Sequence, residues 1–265
     1  MRLAEIHVYP LKGARGIALE RADVLLGGLR HDRRFMLLGA EGTFLTQRSH
    51  PTLALVTTAL RGASLVIGTP AGGSAEIALA PEGPRRIVHV WDDDVEAIDV
   101  GGSAAALLSD HLGETCSLVF MPDDVVRPVE SPYGGPGDRV GFADAYPVLL
   151  ATHASLADLN ARLTEPVPMN RFRPNLVVSG GEAFDEERHG RVQVGATLYR
   201  MPKRCSRCQV TVVDQATGIT GKEPLRTLAT YRTENNKVYF AQNLIPDGEG
   251  AIAIGDDVVY ADPLS

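Results

Sequence analysis

The feature that most constrains this chain is the shortness of its apolar runs. Segments of roughly four to eight residues rich in Val, Ile, Leu and Thr alternate with turn-forming residues, a pattern that suits strands better than helices. The 27 glycines and 17 prolines among 265 residues supply the punctuation. Strands are expected at Ile6 to Leu11, Arg34 to Leu38, Leu53 to Leu60, Ser64 to Ile67, Ile87 to Val90, Leu118 to Met121, Leu176 to Ser179 and Val210 to Val213. Ala251 to Tyr260 reads as a closing hairpin with Gly255-Asp256 in its turn.

Helical signals are fewer. Ser103 to Leu112 has helix formers, a Ser suited to the N-cap and Gly113 after its end. Ser155 to Leu163 sets Leu156, Leu159 and Leu163 on one face, and Pro224 suits the first turn of a short helix ending near Tyr231. Residues 123–139, rich in Pro and Gly, read as a long loop over a functional surface or as a partly mobile lid. The expected fold is mainly β with a few helices (α+β). A boundary near Gly101-Gly102 is expected to separate an N-terminal region, 1–100, from a C-terminal β-rich domain, 101–262.

Hydrophobic residues make up 44% and charged residues 22% of the chain, enough for an ordinary core. No run approaches the ~18 apolar residues of a membrane span, and Met1-Arg2-Leu3-Ala4-Glu5 lacks the pattern of a signal peptide. A cytoplasmic protein without a membrane partner is expected. The net charge of −7 disfavours a nucleic acid duplex, whose phosphates draw on clustered Lys and Arg. Three cysteines argue against a disulfide framework.

Cys205-Ser206-Arg207-Cys208 therefore needs another reading. Structural zinc needs about four ligands, and the remaining cysteine, Cys116, is distant. A redox pair belongs at a strand-to-helix junction, whereas β-rich sequence follows here. Two half-buried core thiols remain an ordinary alternative. Against that, Lys203, Arg204 and Arg207 favour the thiolate, the form that ligates metal. Asn170-Arg171-Phe172-Arg173-Pro174-Asn175 runs into a strand. Pro174 is expected to hold Arg173 extended, so that Arg173 and Asn175 face one side and offer donors to a phosphate or heterocycle. Lys12-Gly13 sits in a turn that suits an anion. His31-Asp32-Arg33, Asp144-Ala145-Tyr146-Pro147 and Gln242-Asn243 are ordinary taken singly.

Taken in order, residues 9–16 (YPLKGARG), 28–37 (GLRHDRRFML), 42–51 (GTFLTQRSHP), 154–163 (ASLADLNARL), 170–180 (NRFRPNLVVSG), 204–218 (RCSRCQVTVVDQATG), 222–232 (KEPLRTLATYR) and 240–244 (FAQNL) resemble the MOSC superfamily with its N-terminal β-barrel partner domain. The likeness is to amidoxime-reducing components and to bacterial reductases of N-hydroxylated bases. It implies an N-terminal β-barrel-like region plus a MOSC β-barrel domain, with a molybdenum–molybdopterin cofactor between them. It also implies Cys208, rather than Cys205, as metal ligand and catalytic residue. The cofactor contacts implied are Lys12, Gly13, Arg33, Arg173, Asn175, Ser206, Arg207 and Asn243. Gly13 stands where relatives often carry Ser, and Ala145-Tyr146 where they can carry Thr-Ser. Asp144 is expected as a catalytic acid near the metal. The resemblance implies a reductase of small N-hydroxylated compounds (hydroxylamines, amidoximes, N-hydroxylated bases). With no cysteine set for an iron–sulfur cluster, such an enzyme needs an external electron-transfer protein, an iron–sulfur, flavin or haem reductase. The alternative is a non-catalytic carrier of the cofactor or of persulfide sulfur. No pyridoxal phosphate is expected in this chain.

Overall fold

The computed structural model describes residues 1–130 and 132–263; Ser131, within the expected 123–139 loop, and the last two residues lie outside them. The chain is mostly β, in four sheets with three α-helices among the described residues. The largest sheet has ten strands. Its path runs Ile17–Leu19, Arg2–Val8, Leu176–Ser179, Val148–Thr152, Lys237–Pro246, Thr197–Arg200, His189–Val194, Val258–Pro263. Phe35–Gly39, Cys116–Phe120, Asp93–Asp99 and Arg85–Val90 form a second sheet. Two three-stranded sheets complete the set.

Side-chain alternation explains why uninterrupted apolar runs form strands here. In Phe35-Met36-Leu37-Leu38 every residue is buried, yet Phe35 and Leu37 join one apolar cluster while Met36 and Leu38 join another. Leu176 and Val178 likewise face one core and Val177 a second. A strand covered on both faces reads as continuous hydrophobicity, since successive side chains point to opposite sides. Each such Leu or Phe stabilises the fold by about 1.5–3 kcal/mol through burial. With both faces covered by separate clusters, the sheets are satisfied as layers. They do not close into the expected barrels, and the ends of the ten-stranded path remain unpaired with each other.

Sheet pairing crosses the expected 100/101 boundary in both directions. Arg2–Val8 pairs with Leu176–Ser179, and Cys116–Phe120 pairs with Phe35–Gly39. Helix α1, Gly102–Leu112, starts at that boundary with Gly101 as N-cap in place of the expected Ser, and ends at Gly113 in the left-handed conformation. Helix α2, His153–Asn160, is capped by Thr152, whose side chain accepts from Ser155 N. Its expected apolar face is present: Leu159 is buried, with Leu156 and Leu163 packed beside it. Helix α3, Leu225–Ala229, follows Pro224 as expected. No helix among the described residues is long and apolar enough to cross a membrane.

Four expected elements differ. The first strand lies at Arg2–Val8, earlier than Ile6 to Leu11. Leu53 to Leu60 divides into a 3₁₀ turn started by Pro51 and a strand from Thr57. Val210 to Val213 belongs mostly to a 3₁₀ turn, Gln209–Val212. There the buried Arg171 guanidinium donates to the carbonyls of Thr211 and Val212, replacing the partner strand that a β reading requires. The closing hairpin has its turn at Gly255, but its arms separate: Gly250–Ala253 pairs with Arg21–Leu25, and Val258–Pro263 with His189–Val194.

Beside α2, Glu186 is fully buried and accepts from Ser155 Oγ at 2.7 Å. Burial pushes its carboxyl up to about 7 from 4.5. The folded state therefore holds this proton more tightly than the unfolded chain. The contribution is complete below pH 4.5 and is lost as pH rises through about 7. Glu186→Gln should match the wild type at pH 4.5 and exceed its stability by about 2–3 kcal/mol in mildly alkaline buffer. Urea unfolding at both pH values checks this; a difference independent of pH would refute it.

Candidate functional site

The segments singled out in the sequence meet around one cleft of about 440 Å³. Lys12, Gly13, Arg33, Asp144, Arg173, Asn175, Ser206, Arg207, Cys208 and Asn243 all line it. So do Arg48, Lys203, Arg204 and Lys237, giving eight Lys or Arg side chains against two acids, Asp144 and Glu130. In a protein of net charge −7, that local excess gives the cleft a positive field suited to an anion.

One wall follows the first strand. The backbone of Lys12 donates to Phe35 O at 2.8 Å, and Gly13 turns the chain at φ +88°, where a Cβ would meet Leu53 Cδ1 at 3.1 Å. Lys12 Nζ donates to Phe142 O and to Asp144 Oδ1, both at 2.6 Å. Burial pulls the Lys12 ammonium below its ordinary pKa, with Asp144 opposing. Arg48 Nη2 donates to Asp144 Oδ2 at 2.6 Å and approaches Cys208 Sγ at 3.3 Å. Burial works against ionisation of Asp144, but Lys12 and Arg48 override it and hold the carboxyl well below the usual carboxylate range. Asp144, expected as a proton donor, is instead a carboxylate clamped between two cations.

A second wall is built on Tyr9. The guanidiniums of Arg33 and Arg173 lie 4.2 and 4.3 Å from its ring centroid. Arg33 also donates to Asp32 at 2.5 Å, to Asn175 Oδ1 at 3.0 Å and to Arg173 O at 3.2 Å. Asn175 donates in turn to His7 O at 3.1 Å and accepts from Leu149 N at 3.1 Å. Its amide is largely spent on orienting this wall. Arg173 departs from the expected extended conformation: its φ is +55°, following the 3₁₀ turn Met169–Arg171. That conformation lays its guanidinium over Tyr9 while keeping Arg173 and Asn175 on the same cleft. Burial lowers Arg173 to about 10, so it stays charged at neutral pH. The one protein hydrogen bond of its guanidinium among the described residues is a long 3.5 Å contact to Gln215, which leaves donors for a ligand.

The cysteines occupy distinct settings. Cys208 caps the Gln209–Val212 turn and faces Arg48. Cys205 Sγ lies 3.0 Å from Arg207 Nη1, while Arg207 Nη2 donates to Phe172 O at 2.8 Å. Arg207 Nε and Tyr146 Oη are buried without hydrogen-bond partners among the described residues. Unpaired buried donors lining a cationic cleft fit a polar, anionic group. No cluster of three His, Cys, Asp or Glu suited to a metal occurs among the described residues. Zinc is thus unsupported, and a metal at Cys208 must arrive with most of its ligands, as a dithiolene-bearing cofactor does. The residues fit such a group: Cys208 for the metal, and Lys12, Arg33, Arg173 and Arg207 for its charge.

Sequence reasoning missed Arg48, Tyr9 and the amide pair Gln47–Gln215, in which Gln215 Nε2 donates to Gln47 Oε1 at 2.8 Å. Gln47 and Arg48 lie inside the quoted segment 42–51, but nothing local points them at Cys208, 160 positions away. Removing the Asp144 charge tests the clamp. Asp144 is 49% exposed, so screening keeps the loss below that of a fully buried pair. Asp144→Asn should cost about 1–3 kcal/mol at pH 7. The deficit should begin to shrink as pH falls below 3.8, where the unfolded chain's carboxyl takes up a proton that the folded carboxylate, held lower, still refuses, and should vanish only at far lower pH. Urea melts across pH check both points.

The chain matches the MOSC N-terminal beta barrel domain over residues 1–115 and the MOSC domain over residues 137–259. It is 31% identical to mitochondrial amidoxime-reducing component 1 of Xenopus laevis, covering 97% of this chain and 81% of that protein. The human counterpart is 30% identical, over 97% of this chain and 82% of its own. A molybdenum cofactor sulfurase of Oryza sativa subsp. japonica is 30% identical over 91% of this chain, which spans 32% of that protein.

Proposed function

The chain belongs to the MOSC family, and from that premise we propose that it is a molybdenum-cofactor-dependent reductase of N-hydroxylated compounds. The observation that carries this reading is the placement of Cys208, a thiol outside any disulfide that faces Arg48, in a cleft with eight cationic and two acidic side chains. That combination suits an anionic cofactor whose metal still needs a sulfur ligand.

The bound cofactor supplies a two-electron redox centre. Hydroxylamines, amidoximes and N-hydroxylated bases share an N–OH group, and reduction takes up two electrons and two protons, releasing the amine, amidine or base and water. Cys208 is the protein's sulfur ligand. Lys12, Arg33, Arg173 and Arg207 neutralise the pterin phosphate and orient it, as charge-assisted donors do. Asn175 and Asp32 fix Arg33; Asp144 fixes Lys12 and Arg48. The electrons come from an external electron-transfer protein, since the chain's three cysteines hold no cluster set.

Protein made in cells that synthesise the cofactor should contain about one molybdenum per chain. It should reduce amidoximes with a reduced viologen as donor. Cys208→Ser should lose molybdenum and lower activity by at least about a hundredfold, beyond the loss typical of changing a supporting residue. Cys205→Ser should keep the metal. Molybdenum-loaded protein that leaves N-hydroxylated substrates unreduced overturns the reductase reading. A reductant-labile sulfur adduct on either cysteine by intact-mass spectrometry would replace it with the carrier.

A further inference from the structure

Trp91 is the chain's single tryptophan; a two-residue hairpin loop explains its backbone, but neither that loop nor the cofactor cradle calls for a bulky aromatic side chain there. It occupies the turn between Arg85–Val90 and Asp93–Asp99 with φ +57°, a left-handed conformation that is uncommon for a bulky residue. Its side chain is not hidden in return: Trp91 is 49% exposed. The indole packs edge-on to Phe44, centroids 5.1 Å apart at 72°. Arg48 lies over it with its guanidinium carbon 5.0 Å from the ring.

Arg48 links this exposed ring to the reacting end of the cleft. Its Nη2 touches both Asp144 and Cys208, at 2.6 and 3.3 Å, while Nε and Nη1 have no protein hydrogen-bond partner among the described residues. A half-exposed indole thus lies beside the cleft, against a guanidinium of its wall that has unused donors and already touches the thiol. A ligand bridging the two needs a flat conjugated body to stack on the indole and an oxygen to accept from Arg48.

Resting on the reductase reading above, we infer that Trp91 is a specificity-determining residue that selects planar, conjugated N-hydroxylated substrates by stacking, with Arg48 receiving the N–OH oxygen. Aliphatic N-hydroxylated compounds carry the same reacting group but gain nothing from the indole.

A matched pair separates the two contributions: benzamidoxime and acetamidoxime. The single tryptophan makes fluorescence a direct probe. In the holoenzyme, benzamidoxime should quench it saturably and acetamidoxime should not at the same concentrations. Trp91→Ala should raise KM for benzamidoxime about tenfold, the scale of one aromatic stacking contact. Its KM for acetamidoxime should stay within about twofold of wild type, and Trp91→Phe should restore most of the benzamidoxime affinity. Absence of saturable quenching overturns the inference. So does an equal loss on both substrates, which would mean that Trp91 only supports Arg48. If neither amidoxime is reduced, the reductase reading fails, while the quenching titration still decides whether the indole stacks on the aromatic ligand.

Discussion

The Asp144 carboxylate organises the cleft. It receives Lys12, 132 positions away, and Arg48, 96 positions away. Arg48 then reaches Cys208 across a separation of 160. One ionised side chain thereby ties the turn after the first strand, the segment before the Pro51 turn and the cysteine-bearing turn into a single constellation. None of these segments is regular at the point of contact. Charge pairing supplies the definition that a helix or strand would otherwise give.

This clamp works inside a surplus of like charge. Arg33 and Arg173 share one face-rich partner, Tyr9, within 4.3 Å of its ring centroid, and Asp32 is the buried carboxylate beside them. Burial raises the Asp32 pKa against the pull of Arg33, and it lowers those of Lys12 and Arg173. Asp32, Lys12 and Arg173 are therefore each held at some cost in solvation. An anion spread across these cations relieves their mutual repulsion and binds only the folded state. Cofactor binding should accordingly stabilise the fold as well as equip it for chemistry.

Much of this was legible in the sequence, for identifiable reasons. Strands such as Phe35–Gly39 and Leu176–Ser179 announce themselves because burial on both faces needs unbroken apolar residues. The cations and Cys208 were legible as an ordered series of motifs. Conformation was less so. Pro174 disfavours a helical Arg173 but does not choose between extended and left-handed backbone, and packing on Tyr9 selects the latter. The Val210 to Val213 run has strand composition, yet Arg171, far earlier in the chain, satisfies its carbonyls. The role of Asp144 depends on Arg48, whose proximity no local pattern encodes. A carboxyl read as an acid accepts from Lys12 and Arg48, which favour its ionised form.

The same long-range logic separates two cysteines that composition treats alike. Cys205 lies on the short strand Arg204–Ser206 and faces Arg207, a neighbour in sequence. Cys208 lies where that strand gives way to a tight turn and faces Arg48 from the N-terminal part of the chain. Arg171 holds that turn from beneath, donating to Thr211 O at 3.0 Å and to Asp214 at 3.0 Å. With its turn held from below by a buried arginine and its thiol approached from across the cleft by another, Cys208 has little freedom to wander. Cys205 rides on a strand paired with Lys237–Pro246, but its sulfur contacts only Ser206 and Arg207 of its own segment. The difference between them is thus set by what the rest of the fold brings to each sulfur.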